Sequence, residues 1–185
     1  TDKARRQAQS NVTSLREAIV EKGIPVLATS STCTFTLRDE YPHLLDVDNT
    51  GLREHIELAT RFLWRKLDSG QTLPLGKLPL KVVYHTPCHM EKMGWSLYTL
   101  ELLRLIPGLE LTVLDSRCCG IAGTYGFKRE NYETSQAIGA PLFRQIEESG
   151  ADIVVTDCET CKWQIEMSTS KRCEHPITLL AKALG

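Results

Sequence analysis

KVVYHTPC, residues 81–88, decides the fold more than any other stretch of the chain. Its first four residues are typical of a short buried strand, and the loop that follows them ends in a cysteine. The same order of strand and cysteine recurs twice farther along the chain. The predicted strands are Lys81–Tyr84, Leu109–Leu114 and Asp152–Val155, and the cysteines after them are Cys88, Cys118, Cys119, Cys158 and Cys161.

Helical segments separate these strands. Apolar residues at helical spacing predict helices over about 94–105 and 128–149, and a last helix begins near Ile177. Because strands and helices alternate, we expect an α/β fold whose mainly parallel sheet is flanked by helices. In open α/β sheets ligands bind at the carboxyl ends of the strands, so the sequence predicts a metal site there.

The N-terminal part of the chain has a related but simpler pattern. It predicts a helix over 3–22 that stops at Gly23, a strand over 24–28, a polar loop with Cys33, and a helix over 51–67. A connector rich in glycine and proline, residues 69–80, then suggests a boundary between two domains, 1–76 and 77–185.

The two domains share an internal similarity. Leu15–Gly23 aligns with Leu142–Gly150, and Cys33 then aligns with Cys161, whereas Ser30 stands where the second copy has Cys158. We interpret residues 1–76 as the C-terminal part of a degenerate first copy, which the chain enters midway. The alternative is that any two units of helix, glycine and strand resemble each other.

Composition narrows the classes of function. The net charge is −1 and basic residues lie among acidic ones, which argues against nucleic-acid binding. No apolar run approaches the roughly 18–20 residues of a spanning helix, so any membrane contact is expected to be peripheral. Seven cysteines in a chain without an export signal favour metal or redox chemistry over a disulfide scaffold.

The five cysteines after the strands are spaced so that they can converge. Twenty-nine residues separate Cys88 from Cys118, and 38 separate Cys119 from Cys158, so each gap fits one helical crossover. Cys158 and Cys161 form a C-x-x-C, which suits one metal centre or a redox disulfide. The adjacent pair favours metal binding, because a disulfide between neighbours is strained.

A glycine-rich stretch directly follows the adjacent pair. Gly120, Gly123 and Gly126 allow the backbone to approach closely and to direct N–H groups at sulfur. Five thiolates exceed the four of a tetrahedral zinc site or a regular cubane cluster. From the residues alone, an iron–sulfur site, a structural zinc site that uses four of the five, and a thiol–disulfide enzyme all stay open.

Other polar and aromatic residues near these motifs have more ordinary interpretations. The histidines are predicted to be hydrogen-bonding neighbours of the site or surface residues, and a mixed Cys/His metal site is the alternative. They are also candidates for roles toward quinone or protons. Cys173 is interpreted as an inert thiol, the three acidic residues as solvated, and residues 93–105 as a core helix rather than a membrane-surface helix. The histidines are His85, His89 and His175, and the acidic residues are Asp115, Asp157 and Glu159.

The three cysteine motifs together resemble the cysteine-rich CCG domain of heterodisulfide reductases and their relatives. YHTPCH at 84–89, CCGIAG at 118–123 and DCETCK at 157–162 are more closely similar to the iron–sulfur subunits of anaerobic glycerol-3-phosphate dehydrogenases. The resemblance implies that one non-cubane [4Fe–4S] cluster is held by all five thiolates. The ligand set so implied is Cys88, Cys118, Cys119, Cys158 and Cys161.

The same resemblance implies a function. The chain would be a non-catalytic electron-transfer protein, without flavin of its own, that relays electrons from flavin-bearing dehydrogenase subunits toward membrane quinone. It would lie peripherally on the cytoplasmic face of the inner membrane, and ferredoxin-like clusters would precede Thr1. Residues 1–76 would be a degenerate first CCG repeat and 77–185 a complete second one.

Overall fold

A computed structural model describes residues 2–185 and shows two parallel sheets surrounded by helices, which confirms the α/β prediction. A π-helical turn, Glu17–Glu21, extends the first helix, and a second, Thr36–Glu40, joins α2 to α3. In chain order the elements are α1 Asp2–Arg16, β1 Val26–Ala28, α2 Ser31–Phe35, α3 Tyr41–Leu45, β2 Ile56–Leu58, α4 Ala59–Asp68, β3 Lys81–Tyr84, α5 Cys88–Met93, α6 Ser96–Arg104, β4 Glu110–Val113, α7 Tyr132–Glu148, β5 Ile153–Val155, α8 Glu159–Ser168, β6 Cys173–Glu174 and α9 Pro176–Leu184.

The larger sheet has the strand order β4-β3-β5-β6, and all its strands are parallel. Val83 pairs with Thr112 on one side and with Val154 on the other. Since the strands are parallel, the loops that follow β3, β4 and β5 all leave the same edge of the sheet.

Side chains of this sheet alternate between two cores. Val83 faces α7 and α8, where it packs with Leu142 and Ile165. Val82 and Tyr84 face the other side, which α4, α6 and α9 cover. Such two-sided burial is typical of parallel sheets and explains the uninterrupted apolar run of β3.

Helix α6 is a core helix, as the sequence predicts. Leu102 and Leu103 are fully buried against the sheet. Within residues 2–185 no helix has both the length and the apolar character needed to cross a membrane.

The prediction of one helix over 51–67 is wrong. A 3-10 turn, Arg53–His55, leads into strand β2, and only then does α4 begin. Ile56, Glu57 and Leu58 are all buried because β2 pairs with β1 along its whole length. The apolar residues of 51–67 have helical spacing, but pairing with β1 makes three of these residues a strand. A strand of only three residues is too short to change the spacing pattern.

Five further elements were not predicted from the sequence. The predicted polar loop with Cys33 instead forms helix α2, and α3 follows it. Helix α5 begins at Cys88 itself, helix α8 begins within the C-x-x-C, and the two-residue strand β6 contains Cys173. The helix predicted from 128 begins later, at Tyr132, after two 3-10 turns. These elements are too short, or too close to a cysteine motif, for periodicity to reveal them.

Candidate metal centre

The five cysteines lie where the loops leave the carboxyl edge of the larger sheet. Cys88 is the first residue of α5, and the adjacent pair lies in the loop after β4. Cys158 is the N-cap residue of α8, and Cys161 lies in its first turn. The crossovers of the parallel sheet therefore bring together three segments that are distant in sequence.

The thiols form one continuous cluster. A hydrogen bond links Cys119 to Cys161, and neighbouring thiols shift one another's pKa along the series Cys88, Cys118, Cys119, Cys161 and Cys158. The Sγ atoms of Cys119 and Cys161 are 3.3 Å apart. All five line one cavity of about 410 Å³. Three of them are buried, Cys118 is half-buried and Cys88 is exposed, so the cavity opens to solvent on the side of Cys88.

Two of the thiols have a strongly lowered pKa. Hydrogen bonds from Cys119 and Cys88 lower the pKa of Cys118, and a hydrogen bond from Cys161 lowers the pKa of Cys158 to about 5. The same hydrogen bonds raise the pKa of Cys88 and of Cys161, which share their protons. Thiolate character is what a metal ligand requires.

The glycine-rich loop supports the sulfur atoms with backbone groups, as the sequence predicts. The N–H of Gly120 donates to Sγ of Cys118 at 3.3 Å. Gly120 has a φ of +87°, and a Cβ built there would lie 2.0 Å from the carbonyl oxygen of Ser135. Only glycine fits this position, because the loop packs directly on the backbone of α7.

The donor set fits an iron–sulfur group. Five soft sulfur donors converge on one cavity, and soft thiolates favour iron–sulfur clusters, zinc or Cu(I) over hard cations. Four thiolates complete a tetrahedral zinc site, whereas a fifth in the same cavity is in keeping with a larger group.

The N-terminal half also contributes to this site. Thr32 in α2 places its Oγ1 3.6 Å from Sγ of Cys158 and 3.1 Å from Nδ1 of His89. The ring of Phe35 stacks on that of His89 at 4.7 Å. Thr32 was not predicted as a site residue. The internal alignment that pairs Cys33 with Cys161 also pairs Thr32 with Thr160, whose hydroxyl is 3.2 Å from Sγ of Cys158.

Comparison with known proteins identifies the segment that carries the cysteines. Residues 82–166 match the family model of the cysteine-rich domain named CCG. This segment is a CCG domain. The match confirms the resemblance seen in the three motifs, and the domain spans β3 through most of α8.

The chain is similar to a dehydrogenase subunit, to a lactate utilization protein and to an iron–sulfur protein. The chain is 85% identical, over all 185 residues, to one of the subunits of anaerobic glycerol-3-phosphate dehydrogenase of Escherichia coli, and spans 47% of that protein. It is 32% identical to lactate utilization protein A of Bacillus subtilis over 72% of the chain and 58% of that protein. An uncharacterized iron–sulfur protein of Methanocaldococcus jannaschii is 32% identical over 51% of the chain and 19% of its own length.

The three histidines around the CCG domain site differ in burial. His85 is 1% exposed, and burial lowers its pKa to about 4. His89 lines the cavity beside Cys88, and His175 lies within hydrogen-bond distance of the carbonyl of Thr29 through Nε2, at 2.8 Å. The three histidines therefore have different environments: His85 lies in the interior, His89 lines the cavity, and His175 lies outside it.

The prediction that Asp157 is solvated is wrong. Its side chain is fully buried and accepts hydrogen bonds from Tyr84 Oη at 2.5 Å and from Thr99 Oγ1 at 3.1 Å. Burial raises its pKa to about 6. Sequence position next to a cysteine suggested a loop, but the CCG domain folds this residue inward beneath α6. Asp115 and Glu159 are exposed, as predicted.

The two remaining cysteines do not line the cavity. Cys33 is exposed on α2. Cys173 is fully buried in β6, and burial raises its pKa to about 12, so it stays a protonated core residue. The interpretation of Cys173 as an inert thiol agrees with this environment.

Proposed function

We propose that Cys88, Cys118, Cys119, Cys158 and Cys161 together ligate one non-cubane [4Fe–4S] cluster and that the chain transfers electrons through it. The observation that carries the proposal is the convergence of all five thiols on one cavity. The match of residues 82–166 to the CCG family and the relatives named for iron–sulfur and redox roles support it.

The residues of the chain have distinct parts in this proposal. The bound cluster supplies a reversible one-electron site. The N–H of Gly120 and the N-terminus of α8 stabilise negative charge on Cys118 and Cys158. Burial of Cys119 and Cys161 excludes water from one side, while the open side at Cys88 leaves a route for electrons.

We also propose the electron path. The 85% identity to one of the subunits of anaerobic glycerol-3-phosphate dehydrogenase supports a place between flavin-bearing dehydrogenase subunits and membrane quinone. In this proposal the chain has no flavin, does not itself oxidise glycerol 3-phosphate, and lies peripherally on the cytoplasmic face of the inner membrane.

The domain division stays a proposal as well: residues 1–76 as the C-terminal part of a degenerate first CCG repeat, and 77–185 as the second. The similar order of helices and strands in the two parts supports this division. The series α1, β1, α2, β2, α4 resembles the series α7, β5, α8, β6, α9, and β1–β2 and β5–β6 are both parallel pairs. Gly23 and Gly150, which precede the two first strands, have φ values of +64° and +66°.

Replacement of single cysteines tests the ligand set. We expect Cys118→Ser and Cys158→Ser to lose or alter the visible absorption and the electron paramagnetic resonance signal of anaerobically purified protein. Cys33→Ser and Cys173→Ala are the controls, because neither thiol lines the cavity. Unchanged spectra in both site variants would contradict the ligand set.

A stopped-flow experiment tests the electron path. The protein is mixed anaerobically with its flavin-bearing dehydrogenase partner and glycerol 3-phosphate, and a short-chain quinone in lipid vesicles is then added. We expect the cluster absorption to bleach and then to recover on addition of quinone. Reduction of quinone without any bleaching would place the chain outside the path.

A mononuclear zinc site is the second candidate. A ring nitrogen of His85 and the Sγ atoms of Cys119 and Cys161 lie within 4.8 Å of one another, a spacing that one small ion could bridge. This candidate leaves Cys88, Cys118 and Cys158 without a role as ligands. It predicts a colourless protein with one zinc per chain, which metal analysis distinguishes from iron.

A further inference from the structure

His85 is a buried polar side chain without a partner. It follows β3 directly, is 1% exposed, and its Nε2 has no hydrogen bond to any of the residues 2–185. An unpaired buried nitrogen of this kind destabilises the fold. Such a group in a native fold calls for an explanation, and a partner that binds later is one of them.

The imidazole of His85 lies against the cysteine site. One of its ring nitrogens is within 4.8 Å of both Sγ of Cys119 and Sγ of Cys161. The backbone N–H of His85 donates to the carbonyl of Val155 at 2.9 Å. The sheet therefore fixes the backbone from which the ring extends beside these two thiols.

The other histidines near the site are already engaged. Nδ1 of His89 is within hydrogen-bond distance of Thr32, and Phe35 covers its ring. His175 uses Nε2 toward the carbonyl of Thr29 and accepts from the N–H of Ile177 through Nδ1. His85 thus differs from both in offering a buried ring nitrogen with no partner among the described residues.

We propose that Nε2–H of His85 donates a hydrogen bond to sulfur on the inner side of the bound cluster and thereby raises its reduction potential. This inference rests on the iron–sulfur function proposed above. A donor aimed at sulfur stabilises the reduced state more than the oxidised state, because the reduced cluster carries more negative charge. His85 is in this sense a residue that tunes the cluster rather than a ligand that holds it.

Redox titration of three variants of the full-length, cluster-loaded protein tests this role. His85→Leu removes the donor, His85→Gln retains an N–H, and His175→Gln is the control at a histidine whose two ring nitrogens already have partners. Iron and sulfide per chain are measured first. We expect iron content near that of the wild type, a midpoint potential that shifts to more negative values in His85→Leu, and a partial return in His85→Gln.

A second measurement does not depend on the His85→Leu variant. Protein with ¹⁵N-labelled histidine is reduced to its paramagnetic state, and pulsed electron paramagnetic resonance detects nitrogen coupled to the cluster. We expect a weak histidine coupling in the wild type that persists in His175→Gln and disappears in His85→Gln. This spectrum decides the question even where His85→Leu fails to fold.

The outcomes separate the two proposals. Iron-loaded wild type without histidine coupling, or His85→Leu with the wild-type potential, would overturn the role of His85 and leave the iron–sulfur function standing. Anaerobic wild type that holds no iron would overturn the iron–sulfur function, and the inference with it. A shifted potential in His175→Gln equal to that in His85→Leu would also overturn the specific role of His85.

Discussion

At the scale of single residues, Asp157 connects the cysteine site to the core through hydrogen bonds. Its buried carboxylate accepts hydrogen bonds from Tyr84 and Thr99, and Thr99 Oγ1 in turn accepts one from the hydroxyl of Thr60 at 3.0 Å. The residue next along the chain is Cys158. A polar group so buried holds the start of α8 in position only while all its partners are present.

We predict that Asp157→Ala lowers the free energy of unfolding by about 1–3 kcal/mol, since it leaves the buried hydroxyl group of Tyr84 unpaired, whereas Thr99 keeps Thr60 as a partner. Urea unfolding followed by circular dichroism measures the change. Asp115→Ala is the control, because Asp115 is exposed, and should stay within about 0.5 kcal/mol of the wild type. Equal, small effects of both variants would contradict the structure around Asp157.

Gly120 gives a second prediction at this scale. Gly120→Ala places a Cβ 2.0 Å from a backbone oxygen, so the loop has to move and the N–H bond to Cys118 is lost. We expect loss of most of the bound iron and a clearly lower melting temperature. Gly123→Ala has a similar positive φ but no atom within 4 Å, and should cost only the strain of about 1–2 kcal/mol. Equal iron content in both variants would contradict this account of the loop.

The residues of the site differ in how far the sequence alone reveals them. The five cysteines are found because their residue type and their position after strands are both readable along the chain. Thr32 and the burial of Asp157 are not, since each depends on how distant elements pack. The sequence around a hydroxyl or a carboxylate does not predict which distant residues will contact it in the folded protein.

At the scale of elements, helix α2 closes one side of the cysteine site although it belongs to the N-terminal half. It contacts α5, and its residue Thr32 reaches both Cys158 and His89. The N–H of Ser31 also donates to the carbonyl of Asp157 at 2.9 Å. The N-terminal half thus forms part of the wall around Cys158.

We predict that Thr32→Val lowers the free energy of unfolding by about 1 kcal/mol, the value of a typical hydrogen bond, and that it speeds the loss of iron to a chelator. Valine keeps the shape of the side chain but cannot bond to His89 or Cys158. Thr178→Val, at an exposed position of α9, is the matched control. If chelation is equally fast in wild type and Thr32→Val, α2 does not protect the site.

An element of the fold is easier to predict when it is long and when its apolar pattern differs from that of the neighbouring segments. Strand β3 and helix α7 have long or uniform apolar patterns, and both are found near their actual bounds. Strand β2 is missed because its three residues continue the helical spacing of α4. Its partner β1 lies about 30 residues earlier, so only the folded chain reveals the pairing.

At the scale of the whole molecule, α4 ties the two halves together. Leu63, Trp64 and Leu67 pack into the core beneath the larger sheet, and the Trp64 ring lies 5.2 Å from that of Tyr98. A pair of hydroxyl groups, Thr60 and Thr99, also meets across this contact. The shared core predicts that both halves unfold together.

We predict that Trp64→Ala lowers the free energy of unfolding by about 2–3 kcal/mol, somewhat less than for a fully buried tryptophan, because Trp64 is only half-buried. Hydrogen exchange should show reduced protection of the β3 amides, although the substitution is in the N-terminal half. Leu44→Ala, at a residue 67% exposed, is the control. Unchanged exchange in β3 would contradict a shared core.

The central claim is that the five cysteines hold one iron–sulfur cluster. The most direct test is iron and acid-labile sulfide analysis, together with zinc analysis, of protein purified without exposure to air. The proposed cluster predicts about four irons and about four sulfides for the CCG domain site, both lost in Cys118→Ser. One zinc per chain with neither iron nor sulfide would contradict it.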